Sequence, residues 1–208
     1  MTEPRLVVFD LGGVVVRICR TWDEACSVAG VQARPARDPS ACRHELEPIV
    51  HAHQCGRLGC DRYAQDLASA LGGIGAADVR RVHDAWILGD YPGIAEAIDR
   101  IHAAGLDTAC LSNTNASHWE QLHRSDAFGR IRTRHASHLL RLAKPDVAIY
   151  RAFERATGAR PADIVFFDDL PENADAARAC GWDAVLVDHA GDTAAQVLGA
   201  LRDRGAIA

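Results

Sequence analysis

The chain has 208 residues, 48% of them hydrophobic and 25% charged, with a formal net charge of -5. This is an ordinary globular composition, long enough for one large domain or one domain with an insertion. The acidic balance argues against nucleic acid or an anionic membrane as partner. The absence of any apolar run of about 18 residues argues against a transmembrane helix.

Val7-Val8-Phe9-Asp10 reads as a buried strand that delivers one carboxylate to a Gly12-Gly13 turn. Before it, Glu3 and Arg5 precede an apolar run broken by Asp10 with no cleavage-like site after it, which is not the pattern of a signal peptide. The apolar run continues to Ile18, and residues 19–88 then change character. Helices are predicted at 22–31, 39–55, 61–71 and 76–88, with no strand-like alternation, so the stretch reads as a small helical insert. Asp38-Pro39 offers an N-cap and a first-turn proline, and Pro48 predicts a kink or split. Tyr91-Pro92-Gly93 is a turn signal and marks re-entry to the sheet.

From there helix and strand alternate. Ile94, Ala97, Ile98 and Ile101 share a helix face closed by Gly105. A strand at 106–111 ends in Ser112-Asn113-Thr114-Asn115, and Asn115 caps a helix through Leu122. A weaker strand at 131–136 suits a sheet edge. A helix ending at Gly158 precedes a second buried strand, Ile164-Val165-Phe166-Phe167, which ends in Asp168-Asp169. A helix at 172–180, a strand at 184–187 and a helix at 193–201 complete the order. The predicted fold is α/β, a Rossmann-like core with a mostly parallel sheet flanked by helices. Its core comprises residues 1–17 and 89–208, with a helical cap at 18–88 inserted after the first strand.

Seven scattered cysteines, without a Cys-x-x-Cys pair, read as space-filling thiols of a reduced, cytoplasmic protein. A zinc site needs tighter clustering. Among 23 basic residues a single one, Lys144, is lysine. A compact ammonium sits among phosphate oxygens as a point charge, where the larger planar guanidinium does not.

Asp10, Ser112-Asn113, Lys144 and Asp168-Asp169 all follow strands or the loop after one, and parallel strand ends lie on one edge of the sheet. Three carboxylates there repel one another unless a cation lies between them. Oxygen ligands without nearby His or Cys favour Mg²⁺ over zinc. A cation, a lysine, a serine hydroxyl and turn amides together describe a phosphoryl site, with one carboxylate available as nucleophile.

The motifs Phe9-Asp10-Leu11-Gly12-Gly13-Val14, Leu111-Ser112-Asn113-Thr114-Asn115, Ala143-Lys144-Pro145-Asp146 and Phe166-Phe167-Asp168-Asp169 through Glu172-Asn173-Ala174 resemble, in order and spacing, the four signatures of the haloacid dehalogenase superfamily. The insert resembles the small helical cap of its first subgroup, and the chain looks most like bacterial sugar-phosphate phosphatases, including those acting on glucose 1-phosphate. The resemblance implies that Asp10 is the nucleophile. It implies Mg²⁺ bound by Asp10, the Gly12 carbonyl, Asp169 and Asp168. Ser112, Asn113 and the Gly13 turn would hold the phosphoryl group of a small phosphorylated substrate, with Lys144 neutralising charge.

One position departs from the family. Its phosphatases carry a second Asp two residues after the nucleophile as general acid and base, and here that residue is Gly12. Such a group contributes ~10²–10⁴-fold in rate. Substrates with good leaving groups would lessen the need for it, or His44, Glu47 or His51 of the insert would replace it, or the protein is slow or retired to binding. A 2-haloacid dehalogenase also lacks the second Asp, but would not keep Asp168-Asp169. A phosphonate hydrolase needs a cap lysine, and Lys144 is already assigned to the core. The oligomeric state is not read from the sequence.

Overall fold

A computed structural model of the chain describes residues 5–208; the first four, Glu3 among them, lie outside the described residues. The chain opens on β1 (Leu6–Phe9), whose Val7, Val8 and Phe9 are fully buried, as a central parallel strand covered on both faces requires. After the Gly12-Gly13 turn comes β2 (Val16–Ile18), then helices α1 (Trp22–Ala29), α2 (Arg43–Gln54), α3 (Cys60–Leu71) and α4 (Ala76–Asp84). β3 (Ile87–Asp90) returns antiparallel to β2. The rest alternates: α5 (Ile94–Ala103), β4 (Asp107–Ser112), α6 (Ala116–Leu122), α7 (Asp126–Arg130), β5 (Thr133–Ala136), α8 (Ser137–Leu140) and α9 (Val147–Thr157). β6 (Ile164–Asp168), α10 (Pro171–Ala179), β7 (Asp183–Leu186) and α11 (Thr193–Asp203) follow.

The five strands of the main sheet are parallel in the order β5-β4-β1-β6-β7, with Val8 opposite Ala109 on one side and Phe166 on the other. Since successive side chains point to opposite faces, Val7 and Phe9 join Ile94, Ile98 and Phe128 in one apolar layer. Val8 joins Leu111, Tyr150, Phe153 and Trp182 in the other. The chain leaves β1 for β4 on one flank and later returns to β6 on the other, so a crevice opens beside the end of β1, as at the switch point of doubly wound sheets. The four helices α1–α4 bury a third cluster of their own, including Leu46, Leu67, Leu71, Val79 and Val82.

Three local expectations change. The helix predicted at 76–88 stops at Asp84, because Ile87–Asp90 pairs with β2 instead. Residues 39–42 are not helical: Asp38 accepts from the Ser40 N–H at 2.9 Å in a local turn, and α2 begins at Arg43. Pro48 then falls in the second turn of a single uninterrupted helix, which starts late rather than splitting. The short helices α7 and α8 are additions. The sheet-edge reading of 131–136 holds, with β5 at the end of the strand order. All seven cysteines are free. No helix among the described residues is long and apolar enough to cross a membrane.

Candidate active site

β1 ends at Asp10, whose N–H donates to the Phe167 carbonyl at 2.8 Å and so continues the pairing with β6. Asp168 and Asp169 lie at the end of β6, and carboxylate oxygens of all three aspartates come within 4.8 Å of one another. Lys144, completely buried at its side chain, places Nζ 3.0 Å from Asp10 Oδ1 and 2.6 Å from Asp168 Oδ2. Asp168 is held on both oxygens: besides Lys144 it accepts from the Leu170 N–H at 2.9 Å and from Asn173 Nδ2 at 3.1 Å on each oxygen. Asp169 accepts from Arg20 Nη1 at 2.8 Å.

Burial is the largest influence on Asp10 and raises its carboxyl to about 6; Lys144 opposes that rise, and Asp168 and Asp169 add to it. Burial pulls Lys144 down, yet Asp10 and Asp168 outweigh it and the ammonium stands above its ordinary value. The cluster thus carries three carboxylates against one buried ammonium and one partly exposed guanidinium. An all-oxygen donor set in negative excess, with one ligand atom from each of Asp10, Asp168 and Asp169 within 4.8 Å of the others, fits a hard divalent cation such as Mg²⁺.

The flanking strand end is organised around Lys144. Asn113 accepts from the Lys144 backbone N–H and donates to its carbonyl, both at 2.8 Å. Its side chain is thereby committed, so any contact with a phosphoryl oxygen falls to its backbone N–H. Ser112 is 3% exposed at the end of β4. Beyond it, Thr114 exchanges hydrogen bonds with the Ser137 hydroxyl, which also lies 2.6 Å from the Gln54 carbonyl at the end of α2.

The two turn glycines differ in role. Gly13 has φ +86°, and a Cβ there would fall 2.3 Å from Asp169 Oδ2 and 2.5 Å from Arg20 Nη2, so only glycine fits. Its N–H donates to the Val16 carbonyl at 2.9 Å. Gly13 thus lets Asp169 and Arg20 approach the turn closely, and its amide is engaged within the turn. At Gly12 a Cβ would meet Ile18 Cδ1 at 3.1 Å. The direction a side chain would take from position 12 is filled by Ile18.

A cavity of about 330 Å³ adjoins this cluster. Gly12, Ser112 and Asn113 form the shared rim, whereas Asp10, Lys144, Asp168 and Asp169 are not among the lining residues. The helical side of the cavity is built from Trp22, Leu46, Val50, Leu67, Val79 and Trp86. Three histidines also face it. His53 stacks on Tyr63 at 4.2 Å between ring centroids, and His83 stacks on His118 at 4.1 Å. Burial first, then the charges His118 and His53 would carry, push His83 down to about 3. Burial likewise lowers His53 and His118. All three are neutral at pH 7.

A model of the haloacid dehalogenase-like hydrolases matches residues 4–181. The chain belongs to that family. It is 30% identical over 119 residues to the phosphatase MT3486 of Mycobacterium tuberculosis (strain CDC 1551 / Oshkosh), an alignment covering 56% of this chain and 55% of that protein. The chain thus spans about half the length of that relative. It is 26% identical over 178 residues to the enolase-phosphatase E1 of Nocardia farcinica, covering 82% of this chain and 72% of the other. A HAD family enzyme from Bacteroides thetaiotaomicron superposes with a TM-score of 0.78 at 18% identity over 95% of this chain and 99% of the other. The L-2-haloacid dehalogenase from Xanthobacter autotrophicus superposes with a TM-score of 0.63 at 21% identity over 88% and 77%. At such identities these structures speak to the fold alone.

In this haloacid dehalogenase-like hydrolase the sequence-predicted Asp10, Lys144, Asp168 and Asp169 come together, with Gly12, Ser112 and Asn113 beside them. The proposed substitutes for the missing acid do not. His44 and Glu47 are 99% and 71% exposed at their side chains, where they face each other, and neither they nor His51 line the cavity. They lie on the outer face of α2, while His53 of the same helix turns inward. Sequence reasoning also missed Arg20, whose approach to Asp169 spans 149 residues of chain and leaves no local signal.

Proposed function

We propose that this hydrolase cleaves small phosphomonoesters by Mg²⁺-dependent nucleophilic catalysis at Asp10. The observation that supports this most is the Lys144 ammonium set between Asp10 and Asp168, with three carboxylates converging at the strand ends. Asp10 attacks phosphorus while the bond to the leaving oxygen breaks; water then hydrolyses the aspartyl-phosphate and restores the carboxylate. Lys144 lowers the charge repulsion between carboxylate and phosphoryl oxygens. The Ser112 hydroxyl and the Asn113 backbone N–H orient those oxygens.

Asp10, Asp169, Asp168 and the Gly12 carbonyl would hold the cation, which when bound neutralises phosphoryl oxygens. Two solved structures of the Bacteroides thetaiotaomicron enzyme contain both magnesium and inorganic phosphate, one of them in an Asp-to-Ala variant. Helices α1–α4 act as the cap over the leaving-group side. The seven free thiols fit a reducing cytoplasm. The sugar-phosphate subtype has less support than the phosphoryl chemistry, because no charged side chain lines the cavity.

Assay with p-nitrophenyl phosphate, with and without EDTA, tests the reading. EDTA abolishes turnover, Mg²⁺ restores it, and Asp10→Asn reduces it by at least about 10³-fold. Turnover that persists unchanged in EDTA rejects the cation, and halide release from 2-chloropropionate in its place rejects the phosphatase reading.

A further inference from the structure

The cavity beside the phosphoryl site is built for an apolar ring. Trp22, Tyr63, Trp86 and His53 line it with their rings, Leu46 and Val50 contribute aliphatic surface, and no Asp, Glu, Lys or Arg lines it. Its imidazoles are already committed. His53 Nδ1 lies 2.7 Å from the Leu58 carbonyl, His118 Nε2 lies 2.7 Å from the His83 carbonyl, and His83 Nε2 lies 3.2 Å from Asn115 Nδ2. Asn115 Oδ1 caps α6 by accepting from the His118 N–H. A sugar buried here would set several hydroxyls against the aliphatic and aromatic side chains that make up most of the wall, where Trp22 Nε1 is a buried donor without a partner, and each hydroxyl left unpaired costs about 1–3 kcal/mol. An aromatic ring meets offset or edge-on partners instead. At about 330 Å³ the space is at the small end for ligand sites, room for one or two rings.

A second, independent observation concerns the acid. Position 12 has no side chain, and the space it would use is filled by the Ile18 methyl group. The rim that the cavity shares with the charged cluster offers Gly12, Ser112 and an Asn113 whose side-chain amide is occupied, with Ile18 beside it, and the three cavity histidines are neutral at pH 7. None is a proton donor of carboxylic or imidazolium strength. The leaving oxygen must therefore depart as a stable anion.

From these two features we infer that the substrate is an aryl phosphomonoester, its ring seated in the cavity between α1, α2 and α3 and the rim at Gly12. This rests on the phosphatase reading and names its substrate class. The Asp10 carboxylate forms the new bond to phosphorus as the bond from phosphorus to the aryl oxygen breaks. The electron pair leaves with the aryloxide, which takes its proton from solvent, and water releases inorganic phosphate from Asp10.

The test crosses polarity with leaving-group strength, using phenyl and 2-naphthyl phosphates, cyclohexylmethyl phosphate, glucose 1-phosphate and glucose 6-phosphate. Aryl phosphates should exceed cyclohexylmethyl phosphate by about 10²-fold or more in kcat/KM, the contribution of an absent acid. They should exceed both glucose phosphates by at least about tenfold. Across substituted phenyl phosphates the rate should fall steeply as the phenol becomes more basic. Binding of 2-naphthyl phosphate should quench tryptophan fluorescence through Trp22 and Trp86, and Val50→Asp should weaken both quenching and aryl kcat/KM. Val50→Thr, of similar shape, should weaken them less, which separates polarity from misfolding. A glucose phosphate turned over as well as the aryl esters, or a flat dependence on phenol basicity, overturns this inference and leaves the phosphatase reading standing. No turnover of any phosphomonoester overturns both.

Discussion

Two regions meet at Gly12, and they are opposites. At the strand ends, Asp10, Lys144, Asp168 and Asp169 pack fixed charge into a nearly dry site. Across the rim, the cavity has no fixed charge, and even its histidines are held neutral. The charged side has chemistry that any phosphomonoester would share. The uncharged side discriminates by what it refuses to solvate. Under the substrate class proposed above, specificity would lie in missing partners more than in added ones, the logic by which buried unpaired groups reject a ligand.

The strongest way to break the charged side is Lys144→Met. It leaves Asp10 and Asp168 facing each other without their ammonium. Loss of at least about 10³-fold in kcat/KM is expected, together with destabilisation on the order of 3–5 kcal/mol in chelator, read by steady-state kinetics and urea melts. Lys144→Arg should rescue neither fully, because a planar guanidinium does not fit where Lys144 is completely buried.

The uncharged side is sharpened by pH. His83 is held near 3 when folded and titrates near 6.5 when unfolded, so the unfolded chain binds more protons in between. Stability is therefore complete above about 6.5 and is lost as pH falls toward 3, by several kcal/mol. Asp84, at 3.5 Å from His83 Nδ1, opposes this loss, while His53 and His118 reinforce it. Urea midpoints from pH 7 to 4 measure the slope, and His83→Asn should flatten it.

Crossing the boundary between the regions is a subtler change. Gly12→Asp alone should gain little, since its Cβ meets Ile18. Combined with Ile18→Ala it should raise kcat/KM on cyclohexylmethyl phosphate by about 10- to 100-fold and leave aryl phosphates nearly unchanged. The smallest expected effect is Arg20→Gln. Its ion pair with Asp169 is partly exposed, so stability should fall by less than about 1 kcal/mol. Freed of a competing cation, Asp169 should bind Mg²⁺ a few-fold more tightly by calorimetric titration.

The sheet and the charged site were legible in the sequence because each strand is a short apolar run and each functional carboxylate stands at its end. What was not legible depends on distant parts of the chain. Ile87–Asp90 continues the helical spacing of Val79 and Val82, and becomes a strand because Val16–Ile18, about 70 residues earlier, offers an edge. His51 and His53 are two residues apart and fall on different faces of α2; His53 turns inward because it shares a face with the buried Leu46, seven residues before it. That Gly12 lacks an acid can be read in one dimension. That Ile18 fills its place cannot.

One hydroxyl joins the helical segment to the sheet. Ser137 has a single proton and two carbonyls within reach, Gln54 at 2.6 Å and Thr114 at 3.0 Å. If α2 swings away, the proton turns to Thr114 and no donor is stranded in the interior, while the released Gln54 carbonyl meets water. With two acceptors in reach, the hydroxyl would keep a partner in either arrangement, and a separation of α2 from the sheet would not incur the penalty of an orphaned buried donor.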